Sequence, residues 1–242
     1  MSVEDGMPGF DVGFVIFPQL TLLDFAGPFE VLSRLGTPPS VSAPSRLPPT
    51  RVHVAARTMA PVMSDRGLAV LPTCTFEDCP PLDLICVPGG GGIAEALGDP
   101  ETVGFVRRQA QGATYVCSVC MGAFLLGAAG LLQGRRAATH WAYVDLLPLV
   151  GATHANGRVV QDGRIYTSGG VTAGIDFSFR ILADLAGADV AQAVQLGIEY
   201  DPAPPFDSGH PAKASEAAIA LMVHRNAGAH AEIRRRLEGR AP

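Results

Sequence analysis

Four short apolar runs mark the first part of the chain: "FDVGFVIF" (10–17), "RVHVAAR" (51–57), "LDLICVPGG" (82–90) and "ATYVCSV" (113–119). They are rich in β-formers and lack polar alternation. Short apolar runs that close at Gly or Pro suit strands buried on both faces of a parallel sheet. Helical patterns lie between them over 29–35, 99–112 and 121–132. Strands that alternate with helices predict an α/β sandwich. Farther on, "RVVQDGRIYTSGG" (158–170) predicts a hairpin turned at Asp162-Gly163, followed by a helix through "AGIDFSFRILADLAG". The Pro-rich stretch 201–211 excludes regular structure, and a terminal helix is expected after it. Gly36–Thr50 is expected as a surface loop and residues 1–8 as a flexible tail. The chain is expected to form one domain over 1–242, with 212–242 as a C-terminal helical extension.

Composition narrows the class. A chain that is 48% hydrophobic and 17% charged can bury a substantial core. A formal net charge of −5 argues against a broad nucleic-acid surface. Five cysteines do not pair into a disulfide framework, and a reducing cytoplasm is the expected compartment. The acidic start "MSVEDGMPGF" lacks an apolar h-region, and no apolar run reaches ~18 residues, so neither a signal peptide nor a membrane span is expected.

The chemistry centres on "TYVCSVCMGAFLLGAAG" (114–130), which holds Cys117 and Cys120 in a C-x-x-C spacing. On extended chain the two lie roughly 10 Å apart and point to opposite faces. A disulfide needs Cα atoms closer than roughly 7 Å. No second C-x-x-C or His pair completes a zinc site, so no metal is expected. The other arrangement is a strand–nucleophile–helix turn, with Cys120 as the last strand residue and Gly122 two positions on. A helix N-terminus there would lower the thiol pKa. From spacing alone, nucleophile and buried apolar filler remain equally open for Cys120. Cys74, Cys79, Cys86 and Cys117 are expected to be packing residues without partners.

"VPGGGG" (87–92) follows a strand and opens a helix. It matches a dinucleotide fingerprint weakly and lacks the acid expected about 20 residues later. It reads as a tight turn or as an oxyanion hole, in which a glycine N–H joins that of Met121. Asp24, in "FPQLTLLDFAGPFEVL", is a helix cap or a general acid and base beside Cys120. His140, in "ATHWAY", is a cap, a surface group or an accessory to the thiol.

Taken together, "FPQLTLLDFAGPFEVL", "LDLICVPGG", "SVCMGAFLLGAAGLLQGRRAATHWAY", "SGGVTAGIDF" and "EYDPAPPFDSG" resemble the isocyanide hydratases. These belong to the ThiJ/PfpI branch of the glutamine-amidotransferase-like superfamily. The resemblance runs from about Phe10 to Gly209. It implies a flavodoxin-like three-layer sandwich with a mostly parallel central sheet and a nucleophile elbow. It also implies a homodimer, a small-molecule substrate and no cofactor. It carries the nucleophile onto Cys120 and the acid/base carboxylate onto Asp24. Oxyanion or substrate contacts fall at Gly90, Gly91, Met121 and Val171. The chain departs from the hydratases at Met121, where they carry Thr. The implied reaction converts an isocyanide to an N-substituted formamide through a cysteine thioimidate. A cysteine-dependent glyoxalase or deglycase would use the same pair on a carbonyl. A redox or ligand sensor of the same fold is the reading from another class. Sensors that bind DNA carry two helix-turn-helix motifs, for which the residues after Pro211 are too few.

Overall fold

The computed structural model describes residues 9–35 and 50–239. The tail expected at 1–8, and the expected loop up to Thr50, lie outside the described residues. In chain order the elements are β1 (Phe10–Val15), α1 (Leu22–Leu32), β2 (Thr50–Ala56), β3 (Val62–Met63), β4 (Ala69–Val70), β5 (Cys74–Thr75), β6 (Leu84–Val87), α2 (Ile93–Gly98), α3 (Pro100–Gly112) and β7 (Tyr115–Val119). Then come α4 (Gly122–Ala128), β8 (Arg136–Ala137), a 3-10 helix (Trp141–Val150), β9 (Thr153–His154), β10 (Val159–Asp162), β11 (Ile165–Ser168), α5 (Ala173–Ala186), α6 (Ala188–Gly197) and α7 (Glu216–Glu238).

Seven strands form one sheet in the order β10-β11-β7-β6-β1-β2-β5. Every pairing in it is parallel except that of β10 with β11, the expected hairpin. The central strands are continuous apolar runs because both faces are covered, and β6 is buried at every position. Two packed groups of helices flank the sheet: α1 with α5 and α6, and α2 with α3, α4 and α7. β6 and β7 are neighbours in register, with Val87 opposite Ser118. Their C-terminal ends therefore bring the glycine run and the Cys120 turn side by side. Open α/β sheets place their sites at such strand ends.

Three local expectations are corrected. The helix after β1 begins at Leu22, not Phe29. Gly27-Pro28 looks like a breaker, but tertiary packing overrides it. Pro28 lies against Gly174 of α5, where an added Cβ would be 2.8 Å from Pro28 Cγ. Phe25 and Phe29 also pack on Phe14 of β1, edge-on and tilted, with ring centroids 5.7 and 5.4 Å apart. Second, α4 stops at Ala128 rather than Leu132, because Gly130 turns left-handed (φ 81°) and closes it. Third, α6 was not expected. Gly187 (φ 91°) separates it from α5.

Candidate active site

β7 ends at Val119, and Cys120 stands one residue beyond it, not as its last member. Its φ of 55° is left-handed, a conformation that costs a non-glycine residue about 1–3 kcal/mol. Neighbouring strands hold it there. The Cys120 N–H donates to Ser168 O at 3.2 Å and Gly169 O at 3.0 Å. Its carbonyl accepts from Thr139 Oγ1 at 2.8 Å. Gly122 lets α4 turn back beneath the elbow, since a Cβ there would lie 2.2 Å from Val87 O. The strained turn aims the thiol across the sheet end, where the backbone N–H groups of Met121 and Val171 lie close enough to favour the charged form of Sγ.

Asp24 does not cap its helix. Thr21 is the N-cap residue, and Asp24 sits in the first turn with no solvent exposure. Its Oδ2 accepts from the Gly89 N–H at 2.9 Å. Its Oδ1 is buried and accepts from no nitrogen or oxygen among the described residues. The carboxyl lies within hydrogen-bonding reach of the Cys120 thiol. Burial pushes Asp24 up to about 7, against the Gly89 N–H, which favours the charged form. Burial also pushes the Cys120 thiol up, and the Asp24 charge adds to this. The lowered thiol pKa expected from the helix N-terminus is therefore corrected. α4 has seven residues, and the donors at Met121 and Val171 do not outweigh desolvation. Cys120 and Asp24 form a coupled pair, in which the charge of one opposes ionisation of the other.

The structure thus brings together Cys120, Asp24, Met121 and Val171. Gly90 (φ 135°) packs instead on the Gln19–Thr21 backbone, where a Cβ would be 2.3 Å from Thr21 N. A Cβ added at Gly91 would meet only Gln19 O, at 3.9 Å. The glycine against Cys120 is Gly89, whose added Cβ would lie 3.1 Å from Cys120 Cβ and 2.7 Å from Met121 N. His140 is partly buried, which lowers its pKa, and its Nδ1 accepts from Ala142 N–H at 3.2 Å, capping the 3-10 helix. No hydrogen bond joins it to Cys120 or Asp24. His140→Ala should therefore keep measurable isocyanide turnover. A loss as deep as that of Cys120→Ala, in a folded protein, would argue for a Cys-His mechanism.

All five cysteines are free thiols. Cys74 and Cys79 lie close to each other across the turn that follows β5, and burial pushes both thiols up. Cys117 is fully buried opposite Cys86. Among the described residues no group of three His, Cys, Asp or Glu side chains is placed to hold a metal. No helix among them is long and apolar enough to cross a membrane.

A cleft of about 420 Å³, lined by Leu22, Leu23 and Ala26 of α1 together with Thr21, Asp65, Arg66 and Val171, shares Val171 with the site. Sequence reasoning missed Gly89, Thr139 and Asp65. Gly89 could have been found as the first glycine after β6. Asp65 left no signal beyond a turn-like "SDRG".

A buried cysteine on a strained strand-to-helix turn, paired with a carboxyl from the helix after the first strand, defines a nucleophile-elbow α/β sandwich. The model of the DJ-1/PfpI family matches residues 11–184, and the chain belongs to that family. It is 51% identical, over 86% of each chain, to the isonitrile hydratase of Pseudomonas putida. A crystal structure of a ThiJ/PfpI family protein from Pseudomonas syringae superposes with a TM-score of 0.87 at 34% identity, covering 96% of this chain and 91% of that one. The transcriptional regulator GbdR of Pseudomonas aeruginosa is 26% identical over 78% of this chain, which spans 50% of the regulator.

Proposed function

We infer that this protein is an isocyanide hydratase, a hydro-lyase that adds water to an isocyanide and releases an N-substituted formamide. The observation that carries the reading is the 51% identity to an isonitrile hydratase over 86% of the chain. A buried thiol–carboxyl pair equipped for the chemistry supports it. As Sγ attacks the terminal isocyanide carbon, the thiol proton passes to Asp24 and from there to that same carbon. This gives a thioimidate, R–N=CH–S–Cys120. Asp24 then takes a proton from water, whose oxygen adds to the carbon, and delivers that proton to the nitrogen. Collapse of the adduct expels the thiolate, which takes up the hydroxyl proton through Asp24, and leaves R–NH–CHO. The Met121 and Val171 N–H groups steady charge on sulfur in both halves. Met121 supplies its donor from the backbone, so the change from Thr leaves that donor in place. A dry site suits the reaction, because water must wait until the thioimidate has formed.

The same reading makes the protein a cytoplasmic homodimer acting on a small molecule. Exposed Leu196, Phe206, Leu221 and Val223 offer apolar surface to a second subunit. The deciding experiment is incubation with a small alkyl isocyanide, following formamide by mass, with methylglyoxal as a parallel substrate. Formamide formation supports the hydratase. Turnover of methylglyoxal alone would point to a glyoxalase or deglycase, and turnover of neither to a sensor.

A further inference from the structure

The mechanism leaves one carboxylate beside the site unused. Asp65 lies in the connection between β3 and β4, and its N–H donates to Leu20 O at 2.9 Å. Its Oδ2 accepts from Thr21 Oγ1 at 2.8 Å. Its Oδ1 is buried and has no hydrogen-bond partner among the described residues. Nor does Asp65 take part in an ion pair there. A buried polar atom without a partner calls for an explanation, and the position of Asp65 supplies one.

Thr21 connects Asp65 to the catalytic carboxyl through a closed circuit. Its N–H donates to Gly89 O at 3.0 Å, and its carbonyl accepts from Asp24 N–H at 3.0 Å. Gly89 N–H then returns to Asp24 Oδ2 at 2.9 Å. The hydroxyl that Asp65 holds thus belongs to the residue that fixes the first turn of α1. Four elements face Asp24. The elbow contributes the Cys120 thiol, and β6 contributes Cys86, kept neutral because burial pushes its thiol up. The glycine run contributes the Gly89 N–H. The β3–β4 connection contributes the negative charge of Asp65, which opposes ionisation of Asp24.

We propose that Asp65 is a positioning residue of this site. Through Thr21 it holds the turn that carries Asp24 beside Cys120, and its charge opposes ionisation of that pair. The hydratase reading enters only through the role given to Asp24 as proton carrier. A carboxyl that must first accept a proton and then deliver it works best near the operating pH. Burial raises Asp24 toward that range, and a second carboxylate held close by adds to it.

The test reads Cys120 directly and needs no isocyanide. The rate of iodoacetamide labelling at Cys120, located by peptide mass, is followed against pH in the parent, Asp65→Asn and Asp65→Glu. The Asn variant keeps an oxygen for the Thr21 hydroxyl and removes the charge. Without that charge the ionised pair is favoured, so the midpoint should fall by about half a pH unit, a roughly threefold gain in labelling on the acidic limb. Asp65→Glu should return the midpoint toward the parent's. Should Asp65→Asn fail to fold, Asp65→Ser removes the same charge and should give the same downward move. An unmoved midpoint in a folded uncharged variant would overturn the proposal, as would an equal move in Asp65→Glu. A lowered midpoint in a protein that turns over no isocyanide would still support the role of Asp65, while counting against the hydratase.

Discussion

Cys120→Ala should reduce isocyanide turnover to the uncatalysed level, whereas Cys117→Ala should keep most of it. The two cysteines share a C-x-x-C spacing but not an environment. Cys117 lies within β7, fully buried, its thiol pushed up by burial and facing Cys86. Cys120 lies past the strand end, with its sulfur against Asp24 and two backbone donors. Cys86 also lies near Asp24, but it is fully buried within β6 with its thiol pushed up, so the loss of Cys120 leaves no route to the thioimidate. The Ala variant should fold, because alanine meets the same left-handed backbone that Cys120 already tolerates. Steady-state turnover of both variants, beside circular dichroism, checks the expectation. Equal loss in both, with a Cys117–Cys120 disulfide seen by mass, would restore a redox reading of the pair.

Asp24→Asn should cost about 10²–10⁴-fold in turnover, the usual contribution of a general acid–base group. The amide oxygen can still accept from the Gly89 N–H, so the geometry survives while proton transfer does not. Stability should move the other way. The folded-state pKa of Asp24 is raised from 3.8 to about 7, so ionisation penalises folding as pH climbs through that window. The penalty is absent below the unfolded value, where both states are protonated, and complete above about 7. Asn carries no such penalty. Asp24→Asn should therefore unfold at the same or a higher denaturant concentration than the parent in mildly alkaline buffer. The difference should vanish in acid. A slow but undamaged protein separates a proton carrier from a structural residue. Near-normal turnover would mean that another acid serves Cys120.

Much of this was legible because doubly buried strands announce themselves as unbroken apolar runs. "LDLICV" and "TYVCSV" predict neighbouring strands without tertiary information, and Gly122 after Cys120 marks the elbow. What the sequence hid is set by contacts between distant segments. Gly27-Pro28 conceals the start of α1, because the packing of Pro28 on Gly174 depends on a helix about 150 residues away. From local sequence Asp24 therefore fits a cap as well as an acid, whereas it is buried in the first turn. The thiol pKa was expected to fall because a helix N-terminus is visible in sequence, whereas desolvation is not. Gly89 rather than Gly90 or Gly91 meets Cys120 because the loop returns over Gln19–Thr21. Asp65 approaches the site on a two-stranded hairpin whose strands have two residues each, too short for any period.

The most direct test of the account is the mass of the enzyme during turnover. Parent protein mixed with excess small alkyl isocyanide and quenched in acid within the first turnovers should carry one added isocyanide, located to the Cys120 peptide. That adduct should decay as formamide appears and the substrate is exhausted. Formamide released with no mass gain on Cys120 at any time, or with the gain on another residue, would contradict the mechanism.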